Sequence, residues 1–415
     1  MGCGFALWPF LFLPRLAIAL LVAVGQVQYL AGVYGGCSCR PSLLLPSQEC
    51  PCASTLLAVA RQRTYFSSTQ RSATSLLYRD YGDKDLSAAT QGMQQDYVFR
   101  AARYSPLSLL AYFQQHQVVA DATAPAGLTS YRTTINQTVV QLFIRRQDAL
   151  VDHVTLLGPD ELLGDVTTTF LYLDYAHLGQ LAYATRVQVD KTNGKVTDEV
   201  QLRPAPVQAT APTDYHLLPS AEIKPEVRVE TYRPHLHFVE LKHTNDWALV
   251  VEFDQFLLVA EAPLSSQNGE VLIEAAQKLA PGKPIRYFVA GHHHPHYLGG
   301  VRPFVQRGAT VLVGAGDEAY VRYLATAPHT LRLNSLQRHP QPVQVEEIPL
   351  HGRKTIADGR FELQIHCIGA QSAHTNDYLL YYFPSEKLLF EDDLARIPQQ
   401  GPIRGFSLQR GGKLR

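Results

Sequence analysis

Net charge is the first thing this chain lacks: across 415 residues, 37 Lys and Arg are balanced by 37 Asp and Glu. Without a field of either sign, nucleic acid and an acidic membrane surface are not expected partners. The Gly-x-Ser-x-Gly elbow of a serine hydrolase is also missing. Gly314-Ala315-Gly316 has no third glycine and is a poor phosphate loop, so Asp317 behind it reads as a helix N-cap. No Cys-x-x-Cys occurs among the six cysteines, so the pairs Cys37/Cys39 and Cys50/Cys52 do not match a usual zinc knuckle, and oxidation is the expected fate if the chain is exported. Disordered bulk is lacking too, because hydrophobic residues make up 46% and charged residues 18% of the chain.

What is present implies two domains and a leader. Phe5 to Leu30 is mostly apolar, densest from Leu16 to Val24, with Arg15 before it and Ala23 and Gly25 at its exit. Residues 1–36 therefore read as a secretory signal peptide, and the protein as periplasmic or secreted. A retained membrane anchor and a misplaced start codon are the alternatives. Residues 54–203 read as an α+β domain. Helices are expected at Asp85 to Tyr104 and Pro106 to Gln117, followed by five strands between Thr129 and Val189 without intervening helices, which implies a mostly antiparallel sheet. The Pro-rich residues 204–234 read as a linker. From 235 to 415 a hairpin around Asp254-Gln255 leads into alternating helix and strand, the pattern of a sheet covered by helices. His235 and His237, at strand spacing, read as structural, and His366-Cys367 as a packed core pair.

The chemistry concentrates in Gly291-His292-His293-His294-Pro295-His296-Tyr297-Leu298-Gly299-Gly300, which follows the strand-like run Ile285 to Ala290. Histidines at i and i+2 of an extended backbone share a side, so His292 and His294 can converge on one ion while His293 points away. Downstream stand Ala373-His374-Thr375 and Leu388-Leu389-Phe390-Glu391-Asp392-Asp393.

From about Leu236 to Leu394 this order of elements and motifs resembles the metallo-β-lactamase-fold hydrolase superfamily. The resemblance implies an αβ/βα sandwich for the C-terminal domain. It also implies metal ligation by His292, His294 and His374, with Asp393 as the carboxylate that bridges two metals in the family. Two positions depart from the family's H-x-H-x-D-H: His296 stands for Asp and Tyr297 for His. One zinc ion is therefore expected rather than two, with His296 as a substitute ligand, Asp393 as ligand or water-orienting base, and Tyr297 as a hydrogen-bond donor to a developing oxyanion. The family's last His and closing helix have no counterpart before Arg415, which reads as a truncated C-terminus. The function implied is hydrolysis of an ester, thioester, lactone or similar small substrate by metal-bound hydroxide. The alternative is a non-catalytic binding protein with a degenerate site. Substrate identity, oligomeric state and the role of the first domain do not follow from these residues.

Overall fold

The computed structural model describes residues 66–70, 73–78, 86–88, 99–100, 102–202, 217–218, 226–244, 246–359, 361–372, 374–396 and 404–405. The expected leader and the Cys37/Cys39 and Cys50/Cys52 pairs lie outside them. Among the described residues no helix is long and apolar enough to cross a membrane. The chain divides into two compact units, one taking the described residues up to 157 and from 167 to 222, the other 158–166 and those from 223 onward.

The first unit is built on a seven-stranded antiparallel sheet in which every strand neighbours its sequence neighbours, from Val119–Asp121 to Val196–Gln201. Its alternating β-branched residues bury one face, where Val140, Leu142, Val154, Leu156, Phe170 and Val187 meet Phe99, Leu109 and Phe113. Leu109 and Phe113 belong to the helix Pro106–Phe113, which starts on the Ser105 cap and Pro106. The helix expected over Asp85 to Tyr104 is corrected in part: Leu86–Ala88 is a strand, pairing with Ala73–Tyr78.

In the second unit the chain runs β1 (Val227–Arg233), β2 (Leu236–Leu241), β3 (Asp246–Glu252), β4 (Leu257–Ala260), α1 (Ser266–Leu279), β5 (Ile285–Val289), α2 (Pro295–Leu298), α3 (Val301–Gln306), β6 (Thr310–Gly314), α4 (Glu318–Thr326), α5 (Ser335–Arg338), β7 (Gln344–Ile348), β8 (Arg353–Ala357), β9 (Glu362–Cys367), β10 (Leu379–Phe383) and β11 (Leu388–Phe390). Strands β1 to β7 form one sheet in sequence order, antiparallel from β1 to β4 and parallel from β4 to β7. The change follows from the connections: a short loop can only reverse the chain, whereas the α1, α2/α3 and α4/α5 segments carry it back over the sheet. Strands β8 to β11 form a second, antiparallel sheet. Strand β1 lies within the residues that read as a linker. Val227, Val229 and Thr231 alternate with Arg228 and Glu230, and all but Val227 are exposed, because it is an edge strand with little to bury.

Two apolar cores hold these layers. Val250, Val259, Phe288 and Val311 face helical residues Leu272, Phe304 and Leu324. Residues one step along the same strands, Leu249, Leu258 and Val289, face Ile365, Leu379 and Tyr381 of the second sheet. This is why β4 is apolar at every position: a strand buried on both faces has no polar side. The unit is a two-sheet sandwich covered by helices, and the helices α1 to α5 all contribute to the first core. Loops at the carboxyl ends of β5 and β6 gather beside those leading into β10 and out of β11, the end at which sheets of this kind hold their ligands.

Candidate metal centre

Strand β5 ends at Val289, and the chain leaves it through Ala290 and Gly291 into the histidine loop. Pro295 opens α2 and His294 stands before it in extended conformation, φ −66° and ψ 150°. The extended stretch puts His292 and His294 on one side, with His292 Nε2 2.8 Å from His294 Nδ1. From the other sheet, His374 Nε2 stands 3.3 Å from Asp393 Oδ2, and Asp393 Oδ1 is 3.8 Å from His292 Nε2. One donor atom from each of His292, His294, His374 and Asp393 thus lies within 4.8 Å of the others. The three imidazoles stand edge to face, with centroids 4.4 Å apart for His292 and His294 and 5.0 Å from each to His374. Ring edges, where the nitrogen lone pairs lie, therefore converge.

Neighbouring groups decide which ring atoms face inward. Asp392, absent from the expected site, places Oδ2 2.8 Å from His292 Nδ1, leaving Nε2 toward the centre. Tyr378 stacks on the same ring at 5.1 Å. Its hydroxyl accepts from the backbone N–H of Asp393 at 3.0 Å and of Leu394 at 2.8 Å, fixing the loop that carries the carboxylate. Ser372 Oγ accepts from the backbone N–H of His374 and Thr375, shaping the turn of the third imidazole. Glu261 closes the rim beyond β4: fully buried at φ +69°, it accepts from Gly291 N at 3.1 Å and from the Tyr381 hydroxyl.

Burial governs the protonation pattern. It lowers His292 and His294 to about 3, so both are neutral and able to donate lone pairs. His374 is raised by its hydrogen bond to Asp393, against burial. Burial pushes Asp393 up, but hydrogen bonding to His374 and the nearby His292 and His374 hold it below the usual carboxylate range. Asp392 and Glu261 are raised well above that range, by burial and then by the neighbouring carboxylates.

The two remaining expected site residues are placed differently. His296 is not among the residues whose donor atoms converge. It sits on α2, half exposed, with Nδ1 3.0 Å from Asp246 Oδ1 at the start of β3, because the helical turn after Pro295 rotates it off the side shared by His292 and His294. Tyr297 does lie at the cluster, its ring 4.4 Å from that of His292 and its hydroxyl donating to Asp393. Burial and Asp393 push that phenol far up, so it stays protonated.

Other histidines fall where packing sends them. His293 turns to the opposite side and bonds Asp377. His235 pairs with Glu386 and His237 with Thr231, while Cys367 is buried beside a partly buried His366. Asp317, expected as a helix cap, makes no side-chain cap bond and lies instead with His293 and Asp377, a donor atom of each within 4.8 Å of the others. Nothing in the sequence marks Asp377 or Asp392 for these roles, since each stands in a polar run that is equally compatible with a solvated loop.

No family model and no curated protein matches this chain. Among solved structures, part of it is similar to the DIM-1 metallo-β-lactamase, at 17% identity over 42% of this chain and 73% of that one, with a TM-score of 0.32. A metallo-β-lactamase from Pontibacter korlensis is similar at 17% identity over 42% and 75%, with a TM-score of 0.30. A flavoprotein from Thermotoga maritima is similar at 12% identity over 42% and 43%, with a TM-score of 0.31. These likenesses concern the framework of strands and helices, and the chemistry has to come from the donors themselves.

Proposed function

We propose that the C-terminal unit is a metal-dependent hydrolase with a single ion, zinc, held by His292, His294 and His374 with Asp393 beside them. The observation that carries this reading is the convergence of three imidazoles and a carboxylate within 4.8 Å. Two of the imidazoles are neutral through burial, and Asp393 Oδ1 is a buried acceptor without a hydrogen-bond partner. Such a donor set suits a divalent ion of borderline softness. When bound, the ion supplies a water acidified to a pKa near ~7 and polarisation of a carbonyl or phosphoryl oxygen.

The chain's own residues contribute the rest. Asp392 holds the His292 ring in one orientation, and Tyr378 holds the backbone of Asp393. Asp393 lies close enough to orient or deprotonate water. Tyr297 stays protonated and can turn its hydroxyl from Asp393 to donate to a developing oxyanion. A small ester, thioester, lactone or related molecule is the substrate class we assign, with no nucleic acid partner. The apolar leader supports export to the periplasm or beyond, which N-terminal sequencing of the mature protein tests by finding a start after Gly25.

A second reading is favoured by the fourth donor. Three imidazoles and Asp393 together fill a tetrahedral shell, and a filled shell is the mark of a structural site, whereas catalysis needs an open position. The unit would then be a non-catalytic binding protein. Metal analysis and Asp393→Ala separate the two. A catalytic centre retains close to one equivalent of zinc in the variant and loses hydrolysis of chromogenic esters. A closed structural site loses zinc. Less than about half an equivalent in the unsubstituted protein sinks both.

A further inference from the structure

On the far side of the histidine loop, His293 and two buried acids form a cluster that the hydrolytic reading does not use. Asp377 is fully buried, and its Oδ2 accepts from the His293 backbone N–H at 2.8 Å and faces His293 Nδ1 at 2.9 Å. Asp317, 2% exposed, stands behind Asp377, with one donor atom from each of His293, Asp317 and Asp377 within 4.8 Å of the others. Asp377 stands three residues beyond His374, and the residue it grips lies between His292 and His294. Its own carbonyl is packed so tightly on Gly314 that a Cβ there would lie 1.9 Å away. Nearby, Leu379 N–H donates to Gly291 O at 2.7 Å, tying the same two segments a second time. Loops that carry the ligands from positions 292, 294 and 374 are therefore joined through one carboxylate, and the backbone of the residue that bears it is wedged against the end of β6.

We propose that Asp377, backed by Asp317, is the positioning residue that holds the His292–His294 pair in register with His374, and so sets the affinity of the metal centre without touching the ion. This rests on the metal reading above. A carboxylate serves better than a neutral acceptor because it takes both the backbone N–H and the ring N–H of one residue.

The test is zinc affinity by chelator competition, with the visible spectrum of the cobalt-loaded protein as a second readout. Asp377→Ala is expected to weaken zinc binding about 10–100-fold, the range for groups that orient metal ligands. It should also shift the cobalt bands, which a loss of general stability does not do. Asp377→Asn keeps one acceptor for the His293 N–H and should recover about ten-fold of the loss. If Asp377→Ala does not fold, the Asn variant carries the test, weakened by roughly 3–10-fold with shifted bands. A folded Asp377 variant with unchanged affinity and spectrum overturns the proposal while leaving the metal reading intact. So does loss of a whole second equivalent of zinc at unaltered affinity for the first, which would make the cluster a separate cation site. If the unsubstituted protein binds no zinc, both inferences fall.

Discussion

Replacing Gly291 by Ala tests whether Asp392 is wedged beneath the first imidazole. An added Cβ would lie 2.2 Å from Asp392 Oδ2 and 3.0 Å from both Asp392 Cγ and Glu261 Oε1. Neither acid has room to retreat, since the Asp392 side chain is 1% exposed and bonded to His292, and Glu261 is bonded to Gly291 and Tyr381. Restoring ordinary contact requires Asp392 to withdraw by roughly 1 Å, which breaks its 2.8 Å bond to His292. Overpacking costs about 1–3 kcal/mol. The lost bond between buried groups costs about 1–3 kcal/mol more. The reduced freedom of the unfolded chain offsets about 0.4–1 kcal/mol. A net loss of about 2–4 kcal/mol should lower the melting temperature of this unit by on the order of 10 °C. Zinc affinity should fall with it, because the His292 ring loses its anchor. Trp247 fluorescence in a Trp8→Phe background follows the unit, and Gly282→Ala serves as control. Gly282 also needs an unusual backbone, φ +82°, but a Cβ there meets nothing within 4 Å, so only about 1 kcal/mol and no change in zinc affinity are expected. A Gly291→Ala protein that melts within about 2 °C of its parent and binds zinc equally well refutes the reasoning.

Tyr378→Phe removes one of the two acceptors of the Asp393 and Leu394 backbone N–H groups, which keep Asp392 Oδ1 and Glu391 Oε2, so urea titration should show a loss of about 0.5–1.5 kcal/mol together with weaker zinc binding. His296→Ala should leave zinc content unchanged by elemental analysis, since Asp246, not the donor cluster, holds that ring; a lost equivalent would restore it to the ligand set. Zinc affinity measured by calorimetry should rise as pH rises through and above about 6.5, because His374, raised above that value by its hydrogen bond to Asp393, must give up its proton to take the ion. A flat profile contradicts that protonation pattern. His329 is 4% exposed and lowered to about 4 by burial and then by Arg302. Its unfolded form takes up a proton below about pH 6.5 that the folded form refuses, so its stabilisation is complete above that pH and declines toward pH 4, at up to about 1.4 kcal/mol per unit. His329→Gln should flatten the fall in urea midpoint between pH 6.5 and 4, and an unchanged slope would show that the imidazole protonates in the folded state.

Local pattern alone was enough for a large part of this molecule. Apolar runs in β4, β5 and β6 and the 3.6-residue period of α1 declare a covered sheet, because burial on one face or two is written into residue order. The i, i+2 spacing of His292 and His294 puts two donors on one side for the same reason, the side-chain direction of an extended backbone. Tertiary structure decided everything that depends on distance along the chain. His292 and Asp392 are 100 residues apart, and only the packing of β5 beside the second sheet makes one the support of the other. His296 is two residues from His294, yet a helical turn begins between them and sends its ring to Asp246. Edge strand β1 alternates Val227, Val229 and Thr231 with charged residues, yet it adjoins a Pro-rich stretch, and only its pairing with β2 makes it part of the sheet. Residue type and spacing therefore determined which donors were available, while the fold, by setting which loops meet at one end of the sheets, determined which of them share a site.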